Sequence, residues 1–152
     1  MISKFSLGIL ATAVTLVLGS SLVFAGGDDT IKARQACMKA NGAGMGVMVP
    51  IIKGEKPYDA AAVGAALGAM DKACADWANF WSADSMTSTT LKTHALDAIW
   101  KDPKGFEAAG GTYYTAFTAL KATKDEAGFK AAFGDLGKSC GGCHEKFRGP
   151  MQ

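Results

Sequence analysis

The chain has 152 residues, 49% of them hydrophobic, and its 16 Lys and Arg against 14 Asp and Glu give a formal net charge of +2. This near-neutral balance excludes the strongly basic surface that nucleic-acid binding requires, and no local cluster of Lys and Arg replaces it. The length suits one domain with a single hydrophobic core.

The first 25 residues are typical of a secretory signal peptide. Lys4 supplies the positive charge, residues 7–18 are apolar, and small or branched residues precede a cleavage position after Ala25. The alternative is a membrane anchor, but a span needs about 18 or more apolar residues and polar residues interrupt this run. We therefore expect residues 1–25 to be removed, and residues 26–152 to be periplasmic, as one domain with no membrane attachment.

The rest of the chain contains no strand-like alternation. It has four stretches in which apolar or small residues recur at spacings of 4 and 3, as on one face of a lengthwise-packed helix. The four stripes are Met38, Gly42, Met45, Val49, Ile52; Val63, Leu67, Met70, Cys74, Trp77, Trp81; Phe106, Gly110, Tyr113, Phe117, Leu120; and Phe129, Phe133, Leu136, Cys140, Cys143, Phe147. Short connections make the first two and the last two helices antiparallel neighbours. The sequence thus predicts an all-α, antiparallel four-helix bundle.

Capping residues mark where three of these helices begin. Asp59 is a good N-cap for the second helix. Asp102 followed by Pro103 suits the start of the third, and residues 123–126 have the pattern of a capping box before the fourth. In the link 82–101, residues 85–90 are too polar and β-branched to predict a helix.

The fourth stripe contains Cys-Gly-Gly-Cys-His at positions 140–144, which is compatible with three kinds of site. A thioredoxin-like redox pair needs a preceding strand and a βαβ context, and the sequence offers neither. A zinc site needs four ligands, so the fourth would have to come from Cys37, Cys74 or His94. Covalent haem needs two thiols at this spacing and a histidine directly after them.

A helical position in an exported protein favours haem. Cys140 and Cys143 are then the two covalent attachment points, and His144 is the axial ligand of the iron. The sequence therefore predicts one haem c at the C-terminal end of the bundle.

Another helix has to cover the second face of the haem. Gly42, Gly44 and Gly46 lie in the first helix, where each costs about 1 kcal/mol relative to alanine. This cost is easiest to explain where a large group approaches the backbone, and Met38 lies one turn before Gly42. The alternative is that Met38 and Met45 fill the core and that the glycines permit close helix contact or a dimer interface.

With these residues identified, the chain resembles the class II cytochromes c, the cytochrome c prime family. The resemblance covers nearly all of residues 31–148 and rests on "RQACMK", "KGEKPYDAAAV", "AIWKDPKGF" and "AAFGDLGKSCGGCHEKFR". It implies a four-helix bundle with one covalent haem held by Cys140 and Cys143 and ligated by His144. It also implies a homodimer through the first two helices, an arrangement common in the family.

The family divides at its distal position, which Met38 occupies here. Typical members have an apolar residue there, a five-coordinate iron, and an open site for nitric oxide or carbon monoxide. In a low-spin subgroup a methionine is the sixth ligand and the protein transfers electrons. "MKANG" and "KGEKPYD" are similar to this subgroup, which implies ligation by His144 and Met38 and single-electron transfer with an unidentified redox partner.

The resemblance also assigns pocket residues. Arg34 matches an arginine one turn before the distal position that commonly contacts a haem propionate, and Gln35 is a second candidate for that contact. Arg148 matches an arginine one turn after the proximal histidine. Its alternative role is that of a solvated cation favoured by the helix dipole.

Cys37 and Cys74 lie outside the usual family pattern. They are nearly equidistant from the predicted turn between the first two helices, so an antiparallel hairpin places them at the same height. Equal height does not fix the direction of the Cβ atoms, so a disulfide and a pair of buried free thiols both stay open.

The sequence gives no sign of an enzyme. It has no serine–histidine–acid set, no pair of carboxylates on a common inward face and no phosphate-binding loop. Three classes are left: an electron carrier, a gas-binding haem protein, and a haem-free zinc or structural bundle.

Overall fold

The computed structural model describes residues 26–150, so the predicted signal peptide lies outside the described residues. The helices are α1 (Gly27–Ile52), α2 (Ala60–Ala73), α3 (Ala98–Lys101), α4 (Pro103–Ala122) and α5 (Glu126–Phe147). The described ranges contain no strand, only an isolated bridge between Ala95 and Arg148. No helix among them is both long and apolar enough to cross a membrane. The predicted all-α four-helix bundle is confirmed, with α3 as a short addition before α4.

The two predicted aspartate caps are present. The carboxylate of Asp59 accepts hydrogen bonds from the backbone N–H groups of Ala61 and Ala62, at 2.9 and 3.0 Å. Asp102 accepts one from Gly105 at 3.0 Å, with proline at the first position of α4. Both carboxylates pair N–H groups that have no partner within the helix and complement its positive end.

The start of α5 differs from the prediction. Asp125 is the N-cap and accepts a hydrogen bond from the N–H of Gly128 at 2.8 Å. The hydroxyl of Thr123 donates instead to the carbonyl of Leu120, at the end of α4. The predicted capping box is therefore wrong, because the short turn uses Thr123 to finish one helix and Asp125 to start the next.

The buried face of α1 is displaced by one residue from the predicted stripe. Its core positions are Cys37, Gly44, Met48 and Ile51, whereas Met38 and Gly42 are exposed. At Gly44 a Cβ atom would overlap the Met70 side chain, so this face of α1 lies tightly against α2. Small and apolar residues occupy two adjacent faces of α1, and the face that contains Gly44 is the one that packs in the core.

The hydrophobic core consists of two clusters. The larger lies among α1, α2, α4 and α5, and its buried members are Met48, Ile51, Val63, Leu67, Met70, Ala116, Phe117, Leu120, Phe129, Phe133 and Leu136. The smaller contains Ile99, Phe106 and Phe147. Trp77 and Trp81 pack against it from the link after α2, rather than from a continuation of α2 as the stripe predicted.

Candidate functional site

A cavity of about 390 Å³ is lined by Met70 and Phe117 of the larger cluster and by Trp77, which packs against the smaller one. Its size falls in the range of small-molecule sites. Met38 reaches it from α1, and Cys140, Cys143 and His144 reach it from α5. The structure thus brings the four residues predicted to hold and ligate a haem into the wall of one cavity. Asn41, Tyr113 and Tyr114 also line it.

The packing of α5 explains why its three functional side chains share this wall. Phe129, Phe133 and Leu136 anchor the helix in the larger cluster, and Phe147 anchors it in the smaller. The functional side chains lie between these anchors on the same face, because residues three and four positions apart are neighbours on a helix. Their common face follows from their spacing along α5, and the anchoring residues turn that face towards the cavity.

The two cysteines of α5 are free and half-buried. Burial raises the pKa of the Cys140 thiol, and burial together with the nearby Cys140 raises the pKa of the Cys143 thiol. Burial, followed by the positive charge of Arg148, lowers the pKa of His144. A neutral imidazole is the form that ligates a metal, so this environment favours the state that an axial ligand needs.

Met38 presents a thioether from a different helix. Its side chain is 37% exposed, unusually open for a large apolar residue, and it lines the cavity instead of the core. Met45, which was predicted on the same stripe, packs against the larger cluster. The two methionines of this stretch therefore have different surroundings.

Cys37 and Cys74 are joined by a disulfide, with their Cα atoms 4.8 Å apart. The bond connects α1 directly to the C-terminal end of α2, and both residues line the cavity. It also takes two of the three candidates for a fourth zinc ligand. The third candidate, His94, has its Nδ1 atom 3.0 Å from the carbonyl oxygen of Pro150. No group of three or more His, Cys, Asp or Glu side chains suited to a metal occurs within residues 26–150.

Arg34 does not line the cavity. Its guanidinium is buried and donates to the side-chain and backbone oxygens of Ser85, at 3.0 and 2.8 Å, and to Thr93 Oγ1 at 2.7 Å. It also lies over the rings of Trp81 and Trp100. Arg34 thus holds the link before α3 against α1, and its contact with a propionate stays a prediction.

Gln35 and Arg148 also lie outside the cavity wall. The Gln35 amide donates to the carbonyl of Lys92 at 2.7 Å. Arg148 is exposed, and its backbone N–H donates to the carbonyl of His144 at the end of α5. The roles expected for both at a haem stay predictions.

Asn41 and Tyr113 are among the polar residues of the wall that sequence reasoning did not single out. The Tyr113 hydroxyl donates to Asn41 Oδ1 at 2.7 Å, and Asn41 Nδ2 lies 3.6 Å from Cys37 Sγ and 3.4 Å from Cys74 Sγ. Burial is the main cause that raises the pKa of Tyr113 to about 12, so its hydroxyl stays protonated at neutral pH. The position of Tyr113 on an inward stripe was the only available signal, and it did not indicate a partner.

The donor set fits a covalently bound haem. Two free thiols with the attachment spacing, an adjacent imidazole and a thioether from another helix face one largely apolar cavity. Thioether attachment through two cysteines and axial ligation by histidine and methionine are the protein groups of c-type haem sites.

Comparisons with known proteins agree with this donor set. The family described as Cytochrome C' matches residues 29–148. A cytochrome c-556 of Rhodopseudomonas palustris is 37% identical over 139 residues, which cover 90% of this chain and 93% of the relative. The crystal structure of cytochrome c' from Rubrivivax gelatinosus has a TM-score of 0.76 at 28% identity and covers 83% of this chain and 99% of its own.

A third similar protein is a cytochrome c prime mutant from Alcaligenes xylosoxidans, solved as its nitric oxide complex. It has a TM-score of 0.72 at 30% identity and covers 84% of this chain and 100% of its own. The sequence match, the bundle and the cavity point to the same conclusion. This chain belongs to the cytochrome c' family, whose members bind covalent haem c.

Proposed function

We propose that this protein carries single electrons through one covalently bound haem whose iron is ligated by His144 and Met38. The observation that carries the proposal is the thioether of Met38 in the wall of the cavity that Cys140, Cys143 and His144 also line. The name cytochrome c-556 of the Rhodopseudomonas relative fits this choice within the family.

Each residue has a defined task. Cys140 and Cys143 supply the sulfur atoms for the two thioether bonds, and His144 supplies a neutral imidazole from the same helix. The haem, when bound, supplies the one-electron chemistry of iron. Met38 would supply a second protein ligand to the iron, and a methionine ligand gives a higher potential than a second histidine would. Ligands fixed on two helices of one rigid bundle suit electron transfer, because little has to move between oxidation states.

Arg34, Gln35 and Arg148 are proposed to contact the propionates or to lie at the haem pocket. Two observations support this for Arg34. No carboxylate of residues 26–150 forms an ion pair with its buried guanidinium. The neighbouring indole N–H of Trp81 is buried without an acceptor among the same residues. A buried cation and an unpaired donor side by side favour an anionic group nearby.

We also propose that the mature protein is periplasmic and forms a homodimer through α1 and α2. The outer face of α2 consists of small residues, since Ala61, Gly64, Ala65 and Gly68 are all exposed. Val47 of α1 is likewise exposed. Two helices with such faces can approach a second copy closely.

The optical spectrum of the purified holoprotein tests the electron-transfer proposal. Ferric and ferrous spectra are recorded before and after addition of carbon monoxide. Sharp low-spin bands that barely respond to the gas are expected if Met38 occupies the sixth position. A high-spin ferrous spectrum that shifts strongly with carbon monoxide would contradict Met38 ligation.

The second candidate function is binding of nitric oxide or carbon monoxide at a five-coordinate iron. It is favoured by the 37% exposure of Met38, which leaves the side chain free to turn away from the cavity. The nitric oxide complex of the Alcaligenes relative belongs to the same fold. Under this alternative, Met38 controls access to the iron and does not ligate it.

A further inference from the structure

A polar network interrupts the apolar wall of the cavity next to Met38. It runs from the Tyr113 hydroxyl on α4 to the Asn41 amide on α1, and from there to the sulfur atoms of Cys37 and Cys74. All four members line the cavity. Three separate parts of the chain therefore meet at one side chain, that of Asn41.

Such a network needs a reason, because polar groups in an apolar wall are costly unless they are paired. Here the pairing is complete on one side, since Asn41 Oδ1 accepts a hydrogen bond from Tyr113 at 2.7 Å. The contacts from Asn41 Nδ2 to the two sulfur atoms are longer, as expected for weak sulfur acceptors. An apolar pair of the same shape would pack here without needing hydrogen-bond partners.

The position of the network relative to Met38 supplies the reason. Cys37 directly precedes Met38, and Asn41 follows it by three residues, so that Asn41 and Met38 are neighbours on the same side of α1. This turn of α1 is thus held at one end by the disulfide to the end of α2 and at the other by the hydrogen bond to α4. At the next turn, Gly44 lies against Met70 of α2.

We infer that Asn41 and Tyr113 are positioning residues that hold the Met38 turn of α1 towards the iron and thereby set how readily an external ligand displaces the thioether. The inference rests on the proposed ligation by Met38 and adds the groups that control it. Neither residue touches the iron in this role. They act through the position of the helix turn.

The size of the effect follows from one hydrogen bond. Losing a typical one changes the ratio between a Met38-bound form and an open form about 2- to 10-fold. Carbon monoxide binds only the open form, so its apparent affinity rises by the same factor when the open form becomes more populated.

The test compares variants of the ferrous holoprotein by carbon monoxide titration. Tyr113→Phe removes only the hydroxyl, and Asn41→Leu removes the amide while keeping a similar volume. Tyr58→Phe is the matched control, because it also removes only a hydroxyl, and Tyr58 packs against the larger core cluster and does not line the cavity. Two further readouts are the reduction potential and the far-red absorption band that methionine ligation gives ferric haem. A role in folding alone would leave both unchanged.

We expect Tyr113→Phe to raise the apparent carbon monoxide affinity about 2- to 10-fold and to shift the far-red band. Asn41→Leu should have at least as large an effect, and Tyr58→Phe should match the wild type. Wild-type affinity and an unshifted band in both network variants would overturn the inference while leaving Met38 ligation intact. A Met38→Ala variant separates failure of this inference from failure of the proposed ligation. If its spectrum and that of the wild type are both high-spin and identical, the ligation and the inference are both overturned.

Discussion

The α1 and α5 sides of the cavity are built in different ways. The α5 side takes its cysteines and histidine from residues 140–144, and the spacing along one helix is enough to place them together. On the α1 side, Met38 is placed by contacts with other parts of the fold: the disulfide at Cys37, the hydrogen bond at Asn41 and the close packing at Gly44. When the residues of a site lie close together on one helix, their relative placement depends little on packing. When a site is held by contacts with several elements, losing any one of those contacts can move it.

The largest effect should come from the α5 cysteines. Replacing both Cys140 and Cys143 by alanine removes the only free thiols among the described residues, so covalent haem should be lost completely. A haem stain on a denaturing gel measures this. The matched control replaces Cys37 and Cys74 by alanine and should keep the stain, because that pair is already bonded. A stained band in the first variant would refute the attachment.

The next largest effect should come from Met38 itself. Met38→Ala removes the proposed sixth ligand, so the ferrous spectrum should change from low-spin to high-spin and carbon monoxide should bind readily. Met45→Ala is the control, because Met45 packs against the larger core cluster. It should retain the low-spin spectrum. Identical spectra of Met38→Ala and the wild type would show that the thioether is not a ligand.

Removal of the Cys37–Cys74 disulfide should lower the free energy of unfolding by about 2–4 kcal/mol, since the cross-link restricts the unfolded chain. Urea denaturation of the holoprotein of the Cys37→Ala, Cys74→Ala variant measures this. The midpoint should fall and the slope should rise, because the unfolded chain without the cross-link is less compact and exposes more surface. An unchanged midpoint would mean that the helix pair is held without the cross-link.

The smallest of these effects should come from Gly44. A methyl group there would overlap the fully buried side chain of Met70, so Gly44→Ala should cost about 1–3 kcal/mol of unfolding free energy. Gly46→Ala is the matched control, because nothing lies within 4 Å of its new Cβ atom. That change should stabilise the helix by up to about 1 kcal/mol. Equal effects of the two changes would contradict the close approach of α1 and α2.

The same contrast explains which parts of the fold the sequence predicts. The stripes of α4 and α5 agree with their buried residues, such as Phe106, Phe117, Phe129 and Leu136. Each of these helices has one apolar face bordered by polar residues. On α1, small and apolar residues cover two adjacent faces, and the prediction selected the face of Met38 for the core.

Other features depend on contacts that a local pattern does not contain. The partners Asn41 and Tyr113 are 72 residues apart, so no local spacing indicates their hydrogen bond. Arg34 is buried by a link that was predicted only as polar. Its partners lie in a segment of the link that folds over α1, far from Arg34 in sequence. The predicted haem attachment needed no such information, because its three residues are adjacent along α5.

The disulfide between α1 and α2 has a consequence for how the holoprotein is made. A chain with four cysteines can pair them into two disulfides in three ways, and haem attachment needs one particular pair to stay reduced. Once Cys37 and Cys74 are bonded, Cys140 and Cys143 have no thiol partner within the described residues except each other. We propose that the chain is exported to an oxidising compartment. There the disulfide keeps Cys37 and Cys74 out of thiol exchange, so that neither can pair with the cysteines that the haem needs.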